Sequence, residues 1–62
     1  MKLWISSDST LGAWYDVSAI DPDHHGRGES GEILRYYADN KTDLIAAYYW
    51  DQAKSKYRKQ NL

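Results

Sequence analysis

The sequence predicts an α+β fold in which a small antiparallel β-sheet packs against one C-terminal α-helix. Three observations predict it. Two segments rich in β-forming residues flank a turn, a glycine-rich stretch follows them, and the C-terminal third lacks glycine and proline and carries an apolar stripe at helical spacing. With 62 residues and no cysteine, the chain is expected to form a single domain, residues 1–62, that no disulfide stabilises.

The first two predicted strands form a hairpin. Residues 2–6 contain Leu, Trp and Ile, which favour strands, and residues 12–20 predict a second strand in which Trp14 and Tyr15 point to opposite faces. The sequence Ser-Asp-Ser-Thr at residues 7–10 lies between them, and its side chains can bond nearby backbone groups and close a turn. We therefore expect the two strands to pair in antiparallel fashion.

A glycine-rich loop is predicted at residues 21–31, where one proline and three glycines disfavour regular structure. Residues 32–38 then predict a third strand. A short helix that begins at Ser30 also fits these residues, because their apolar side chains recur at helical spacing as well. The strand is favoured, since a two-stranded hairpin alone is only marginally stable in water.

The C-terminal helix is predicted at residues 42–60, which contain no glycine or proline. Asn40 can cap its first turn, and Asp43 then lies near the positive end of the helix dipole. The apolar stripe that would face the sheet consists of Ala46, Tyr49, Trp50, Ala53 and Tyr57.

Residues 21–32, DPDHHGRGESGE, hold most of the side chains that could carry chemistry. Their carboxylates and imidazoles could bind a metal, but strong zinc motifs place two histidines one helical turn apart, whereas His24 and His25 are neighbours in a predicted loop. The same histidines could serve a serine nucleophile, but that chemistry also needs an orienting group and an enclosed site, which nothing in the sequence predicts. We therefore expect no metal, no cofactor and no enzymatic activity.

Nucleic-acid binding is the alternative function that the sequence suggests. It would use strand aromatics as stacking platforms together with four C-terminal bases, Lys54, Lys56, Arg58 and Lys59. Residues 33–62 contain six bases and three acids, a net charge of +3, but residues 1–32 contain two bases and six acids, a net charge of −4. Because the whole chain has a net charge of −1 and a helix would spread the four bases around its axis, nucleic acid is the less favoured partner.

Protein binding is the favoured function, because the chain has three Trp, six Tyr and no Phe. Every aromatic side chain thus has a polar group that tolerates partial exposure, and Trp, Tyr and Arg are enriched at the residues that dominate protein interfaces. A three-stranded sheet with one helix cannot cover all of these rings. The predicted contact residues are Trp14, Arg35, Tyr37 and Tyr48, with His24, His25 and Arg27 of the loop as a rim.

The sequence therefore predicts a small non-catalytic protein-binding factor. A phage- or mobile-element-encoded inhibitor of a host enzyme or defence complex is the expected type, and a homodimer formed through a free sheet edge is a second possible association. The N-terminus lacks the apolar core of a signal peptide, and the longest apolar run, residues 44–50, is far shorter than the ~20 residues that span a bilayer. We expect a soluble cytoplasmic protein without a membrane partner.

Overall fold

The computed structural model describes residues 1–61 and shows one five-stranded antiparallel β-sheet. Its strands are β1 (Lys2–Ser7), β2 (Thr10–Asp16), β3 (Ile33–Tyr37), β4 (Leu44–Asp51) and β5 (Lys56–Lys59). In space they follow the order β2, β1, β3, β4, β5. Three of the four neighbouring pairs are hairpins, and the connection from β2 to β3 passes over β1.

The predicted α+β class is wrong, because no C-terminal helix forms among the residues that the structure describes. Residues 42–60 fold instead as β4, a turn and β5, and the only helical element within residues 1–61 is a four-residue 3-10 turn, Pro22–His25. The turn between β4 and β5 contains no glycine, but Ser55 adopts the left-handed conformation (φ 51°) that a glycine would often supply. The absence of glycine and proline therefore did not mean an absence of turns.

The spacing of the apolar residues also explains why a helix was predicted at residues 42–60. Ala46, Trp50 and Tyr57 fit one stripe of a helix, but they also lie on one face of the β4–β5 hairpin, where all three are buried. Tyr49 of the predicted stripe lies on the opposite face of β4, and Ala53 is exposed in the turn. The segment is rich in aromatic residues, which favour strands once neighbouring strands can pair with them.

The residue predicted to cap the helix caps a turn. The side-chain oxygen of Asn40 accepts hydrogen bonds from the backbone N–H groups of Thr42 (3.0 Å) and Asp43 (3.1 Å). This turn joins β3 to β4, and Lys41 within it has a φ of 65°. A short polar side chain can thus satisfy backbone donors before a strand as well as before a helix.

The first three strands lie close to the predicted ranges. Strand β1 extends the predicted 2–6 by one residue, β3 lies within the predicted 32–38, and the hairpin of β1 with β2 pairs Trp4 with Trp14. Strand β2 begins at Thr10, before the predicted range 12–20, and it ends at Asp16, where the chain leaves the sheet. Residues 17–32, called the crossover below, then lead to β3.

The core lies between one face of the sheet and the crossover. This face, called the inner face, carries the buried side chains of Leu3, Ile5, Leu34, Tyr36, Ala46, Trp50 and Tyr57. Val17 and Ile20 of the crossover pack against it. Gly28 allows a close approach, since a Cβ atom there would lie 2.7 Å from the Tyr57 hydroxyl oxygen. The crossover therefore occupies the place that the sequence predicted for a helix.

No helix within residues 1–61 has the length and apolar character needed to cross a membrane.

Candidate functional site

The second face of the sheet carries most of the predicted contact residues. This face, called the outer face, lies opposite the core, and its side chains are half-buried or exposed except for Ala47. Its larger side chains are Lys2, Trp4, Trp14, Ile33, Arg35, Tyr37, Leu44, Tyr49, Lys56 and Arg58. Alternation along the strands places them there, because a residue next to a buried one in a strand points the opposite way.

An aromatic row crosses three strands of the outer face. Trp14 of β2 pairs with Trp4 of β1, and Trp4 pairs with Tyr37 of β3. The two indole rings lie 5.1 Å apart between centroids, edge to face at 75°. Such pairs add attraction beyond the area that they bury. The row is therefore a fixed surface feature.

Close packing at one glycine and contacts with two lysines hold this row in place. Gly12 lies beneath the Trp4 ring, because a Cβ atom there would be only 2.8 Å from the indole nitrogen of Trp4. The Lys41 ammonium lies 4.1 Å from the Trp4 ring centroid and 5.4 Å from that of Trp14. Lys2 approaches the other indole, 5.1 Å from the Trp14 centroid. Cation–π contacts of this kind orient both rings.

The two arginines of the outer face are each paired with a carboxylate. Arg35 donates to Asp8 across 2.6 Å, and Arg58 donates to Asp51 across 3.3 Å. Asp8 also accepts the backbone N–H of Ile33 (3.0 Å). The hydrogen bond from Arg35, followed by that from Ile33, holds the pKa of the Asp8 carboxyl below its usual range. The outer face thus carries charges of both signs, and its two arginines are each paired with an aspartate.

The four C-terminal bases do not form one patch. Strand β5 directs Lys56 and Arg58 to the outer face, opposite Asp51 and Tyr49 of β4. Lys59 lies at an alternate position and points to the inner side of the same edge strand, and Lys54 lies in the turn before β5.

Tyr48 is separated from the other predicted contact residues. It lies on the inner face, half-buried, with its ring 5.9 Å from that of Tyr36 at an interplanar angle of 73°. Its neighbour Tyr49 lies on the outer face instead. Tyr49 and Trp4 were not among the predicted contact residues. Tyr49 was assigned instead to the buried stripe of the predicted helix. A period of two in residues 44–51 is the signal that could have identified it.

The predicted loop residues lie over the inner face. Asp21 caps the 3-10 turn by accepting the backbone N–H of Asp23 (3.1 Å), and the exposed His24 lies 3.9 Å from Asp21. Arg27 follows this turn and is exposed. The rim residues are thus on the opposite side of the sheet from Trp14, Arg35 and Tyr37.

His25 packs between two tyrosine rings. Its imidazole centroid lies 5.9 Å from Tyr15 and 5.8 Å from Tyr36, and it is close to perpendicular to both rings. Burial, with a smaller effect of the nearby His24, lowers the pKa of His25. Its side chain is therefore a packing group whose charged form is disfavoured by burial.

A cavity of about 370 Å³ lies beside these rings, between the inner face and the crossover. Tyr36 lines it, and the Tyr36 hydroxyl is buried without a hydrogen-bond partner in residues 1–61. Burial raises the pKa of this phenol far above its usual value. No three His, Asp or Glu side chains within residues 1–61 lie close enough together to hold a metal ion.

Comparison of the chain with protein-family models, with curated proteins and with solved structures finds no significant match.

Proposed function

We propose that this chain is a small non-catalytic protein-binding factor and that the outer face is its contact surface. The observation that carries the proposal is the aromatic row of Trp14, Trp4 and Tyr37, which lies beside Arg35 on a sheet face that no other segment within residues 1–61 covers. Trp, Tyr and Arg are the residue types that dominate the binding energy of protein interfaces.

The rigidity of this surface supports the proposal. Each ring of the row is attached to a paired strand, and the two indoles contact each other and Lys41. A partner would therefore meet side chains that are already ordered, so that little conformational entropy is lost when it binds. Occupying the surface of a larger protein, such as a host enzyme or a defence complex, requires only such a face.

The charge of the outer face favours a protein over a polyanion. Both arginines are paired with aspartates, so a phosphate backbone laid across this face would meet Asp8 and Asp51 as well as the cations. A protein partner can match alternating charges with alternating charges of its own.

The hydrogen-bonded serine hydroxyls have partners other than a histidine. Within residues 1–61, serine hydroxyls bond one another, Thr10 and Glu32, and none of these bonds includes His24 or His25. A serine nucleophile requires such a bond to a base.

Two neighbouring aromatic residues of β2 give a matched test of the contact surface. Trp14 and Tyr15 are similarly exposed, at 38% and 44%, but they point to opposite faces. Affinity capture with tagged chain from lysate of the encoding organism, quantified by mass spectrometry, should recover the same partner with wild type and Tyr15→Ala. Trp14→Ala should lose about 2 kcal/mol of binding, roughly thirtyfold in affinity, as expected for a residue at the centre of an interface.

Circular dichroism and thermal melting must show that both variants remain folded at the capture temperature. If Trp14→Ala retains the partner at wild-type affinity while Tyr15→Ala loses it, the outer face is not the contact surface. Tyr48→Phe is a further control, because it keeps the ring on the inner face and removes only the hydroxyl.

Single-stranded nucleic acid is a second candidate, and one observation favours it. The strand conformation of β5 places Lys56 and Arg58 on the outer face with Tyr49, whereas a helix would have spread them around its axis. Aromatic rings beside cations on a sheet face form the usual platform for single strands.

Titration with a fluorescently labelled oligothymidylate separates the two candidates. The nucleic-acid candidate predicts binding that weakens steeply as salt is raised and that weakens further in Lys56→Ala/Arg58→Ala. The protein-binding proposal predicts no saturable binding of the oligonucleotide at low salt.

A further inference from the structure

The cavity beneath the crossover lies on the opposite side of the sheet from the outer face and has the size of a small-molecule site. Its volume of about 370 Å³ is within the range of ligand pockets in proteins, roughly 300 to 1,000 Å³. The inner face contributes Ile5, Tyr15 and Tyr36 to its lining, and the crossover contributes Val17, Asp21 and His25. Apolar walls with a few convergent polar groups are the usual composition of such pockets.

Aromatic rings form a preorganised side of the cavity. His25 stands edge to face against both Tyr15 and Tyr36, with interplanar angles of 80° and 78°. Tyr36 in turn packs against Tyr48 outside the cavity lining. These contacts hold the Tyr15 and His25 rings in one orientation, so a planar ligand can lie against these two rings without first ordering the site.

The Tyr36 hydroxyl supplies an unused hydrogen-bond donor. The Tyr36 side chain is 1% exposed, and its hydroxyl has no partner within residues 1–61. A buried hydroxyl without a partner is unfavourable, because it gave up its hydrogen bonds to water. A ligand with a hydrogen-bond acceptor at this position would satisfy it.

The charges around the cavity disfavour an anionic ligand. Asp16 and Asp21 line it, and no lysine or arginine within residues 1–61 does, so an anion would be repelled. Both carboxylates are already engaged, Asp16 by the N-terminal ammonium group at 3.1 Å and Asp21 by the backbone of the 3-10 turn. The Tyr36 donor requires an acceptor, which an uncharged molecule supplies without the repulsion that an anion would meet.

We propose that this cavity binds a small, uncharged, planar aromatic molecule whose carbonyl oxygen accepts a hydrogen bond from the Tyr36 hydroxyl. An aromatic carboxamide is the ligand class with these properties. Its ring would contact Tyr15 and His25, and its carbonyl would be directed towards Tyr36. This site is separate from the outer face and does not depend on the function proposed for that face.

Three probes of similar shape test the proposal in NMR titrations of the intact chain. Benzamide has the ring and the acceptor, benzoate has the ring with a negative charge, and toluene has the ring alone. Benzamide should shift the ring resonances of His25 and Tyr36 saturably at millimolar concentration. Benzoate and toluene should bind at least about tenfold more weakly.

Removing single hydroxyls tests the role assigned to Tyr36. Tyr36→Phe removes the unpaired donor but keeps the packed ring, and it should weaken benzamide binding about tenfold while leaving toluene binding unchanged. Tyr48→Phe removes the hydroxyl of a neighbouring ring that does not line the cavity, and it should leave benzamide binding unchanged.

Two results would overturn the proposal. One is the absence of any saturable shift of the His25 and Tyr36 resonances by benzamide. The other is equal weakening of benzamide and toluene binding in Tyr36→Phe, which would show that the ring and not the hydroxyl determines affinity.

Discussion

At the scale of single residues, the outer face depends on a glycine. Gly12 has a φ of 94°, and a Cβ atom there would lie 2.8 Å from the Trp4 indole nitrogen and 2.9 Å from the Ser6 Cβ. A side chain at this position would be strained by the backbone and would also displace Trp4, the middle ring of the aromatic row.

Gly12→Ala should therefore destabilise the fold more than Gly31→Ala. Gly31 also has a positive φ, 77°, but a Cβ there would meet no atom within 4 Å. Gly31→Ala should cost about 1 kcal/mol, from conformation alone, and Gly12→Ala about 1 to 3 kcal/mol more, from the clash with Trp4. Urea unfolding followed by tryptophan fluorescence measures both variants, and equal losses would show that Trp4 moves aside freely.

Asp8 joins the turn between β1 and β2 to strand β3. One oxygen of its carboxylate bonds Arg35 and the other bonds the backbone of Ile33. Because the pKa of Asp8 is lowered in the folded chain, the stabilisation is fully present above the unfolded pKa of about 3.8 and is lost as pH falls through the folded pKa.

Asp8→Asn should accordingly lower stability at pH 7 and reduce the loss of stability on acidification below about pH 5. Asp39→Asn is the matched control, since the Asp39 carboxylate accepts no side-chain hydrogen bond within residues 1–61. Urea unfolding at a series of pH values measures both. If Asp8→Asn lost as much stability on acidification as wild type does, the role given to the Asp8 carboxylate in this pH dependence would be contradicted. Part of this dependence should remain, because the Ser9 hydroxyl lowers the pKa of Glu32 in a similar way.

At the scale of elements, the C-terminal hairpin is the feature that differs most from the sequence prediction. The apolar residues of 44–51 and 56–59 fit both the spacing of a helix and the alternation of a strand, and the turn between the two segments contains no glycine. Ser55 pays a conformational penalty in this turn, because residues with a Cβ atom are disfavoured at positive φ.

Ser55→Gly consequently distinguishes the hairpin from the predicted helix by the sign of its effect. In the hairpin, glycine should relieve the left-handed conformation and stabilise the fold by up to about 1 kcal/mol. In the middle of a helix, glycine would instead destabilise by roughly 0.5 to 1 kcal/mol. Chemical unfolding measures the sign, and Lys54→Gly, in the same turn, controls for added chain flexibility.

At the scale of the whole molecule, the sheet has one layer, two faces and two edges. The crossover covers the inner face, the outer face is free within residues 1–61, and β2 and β5 form the edges. Strand β5 is four residues long and carries three cations, which discourage pairing with another chain. Strand β2 is seven residues long and carries no lysine or proline.

The homodimer predicted from sequence would therefore use β2. Sedimentation velocity should show association that rises with concentration and that is abolished by Leu11→Lys. Leu11 is 98% exposed, so the substitution should leave the melting temperature unchanged. Lys54→Glu, away from this edge, is the control. A wild-type chain that remains monomeric at millimolar concentration would contradict the prediction.

The sequence by itself determined the local features, which depend on interactions between residues that are close along the chain. The β1–β2 hairpin, the strand at residues 33–37 and the irregular stretch around Pro22 follow from β-forming residues, turn side chains and glycines that act on their immediate neighbours. The sequence also indicated Trp14, Arg35 and Tyr37 as candidate contact residues. The face to which a side chain points alternates along a strand, and this alternation can be derived without knowing the neighbouring strands.

Only the tertiary structure decided between strand and helix at residues 42–60, because apolar residues there fit both periods and the choice depends on pairing with β3. It also decided which rings share a face: Tyr49 lies with Trp14 and Trp4, whereas Tyr48 lies with Tyr36 beside the crossover. The cavity has the same origin, since it forms only where distant segments meet over the sheet. Long-range pairing, which no local pattern records, fixed the architecture and separated the two candidate surfaces.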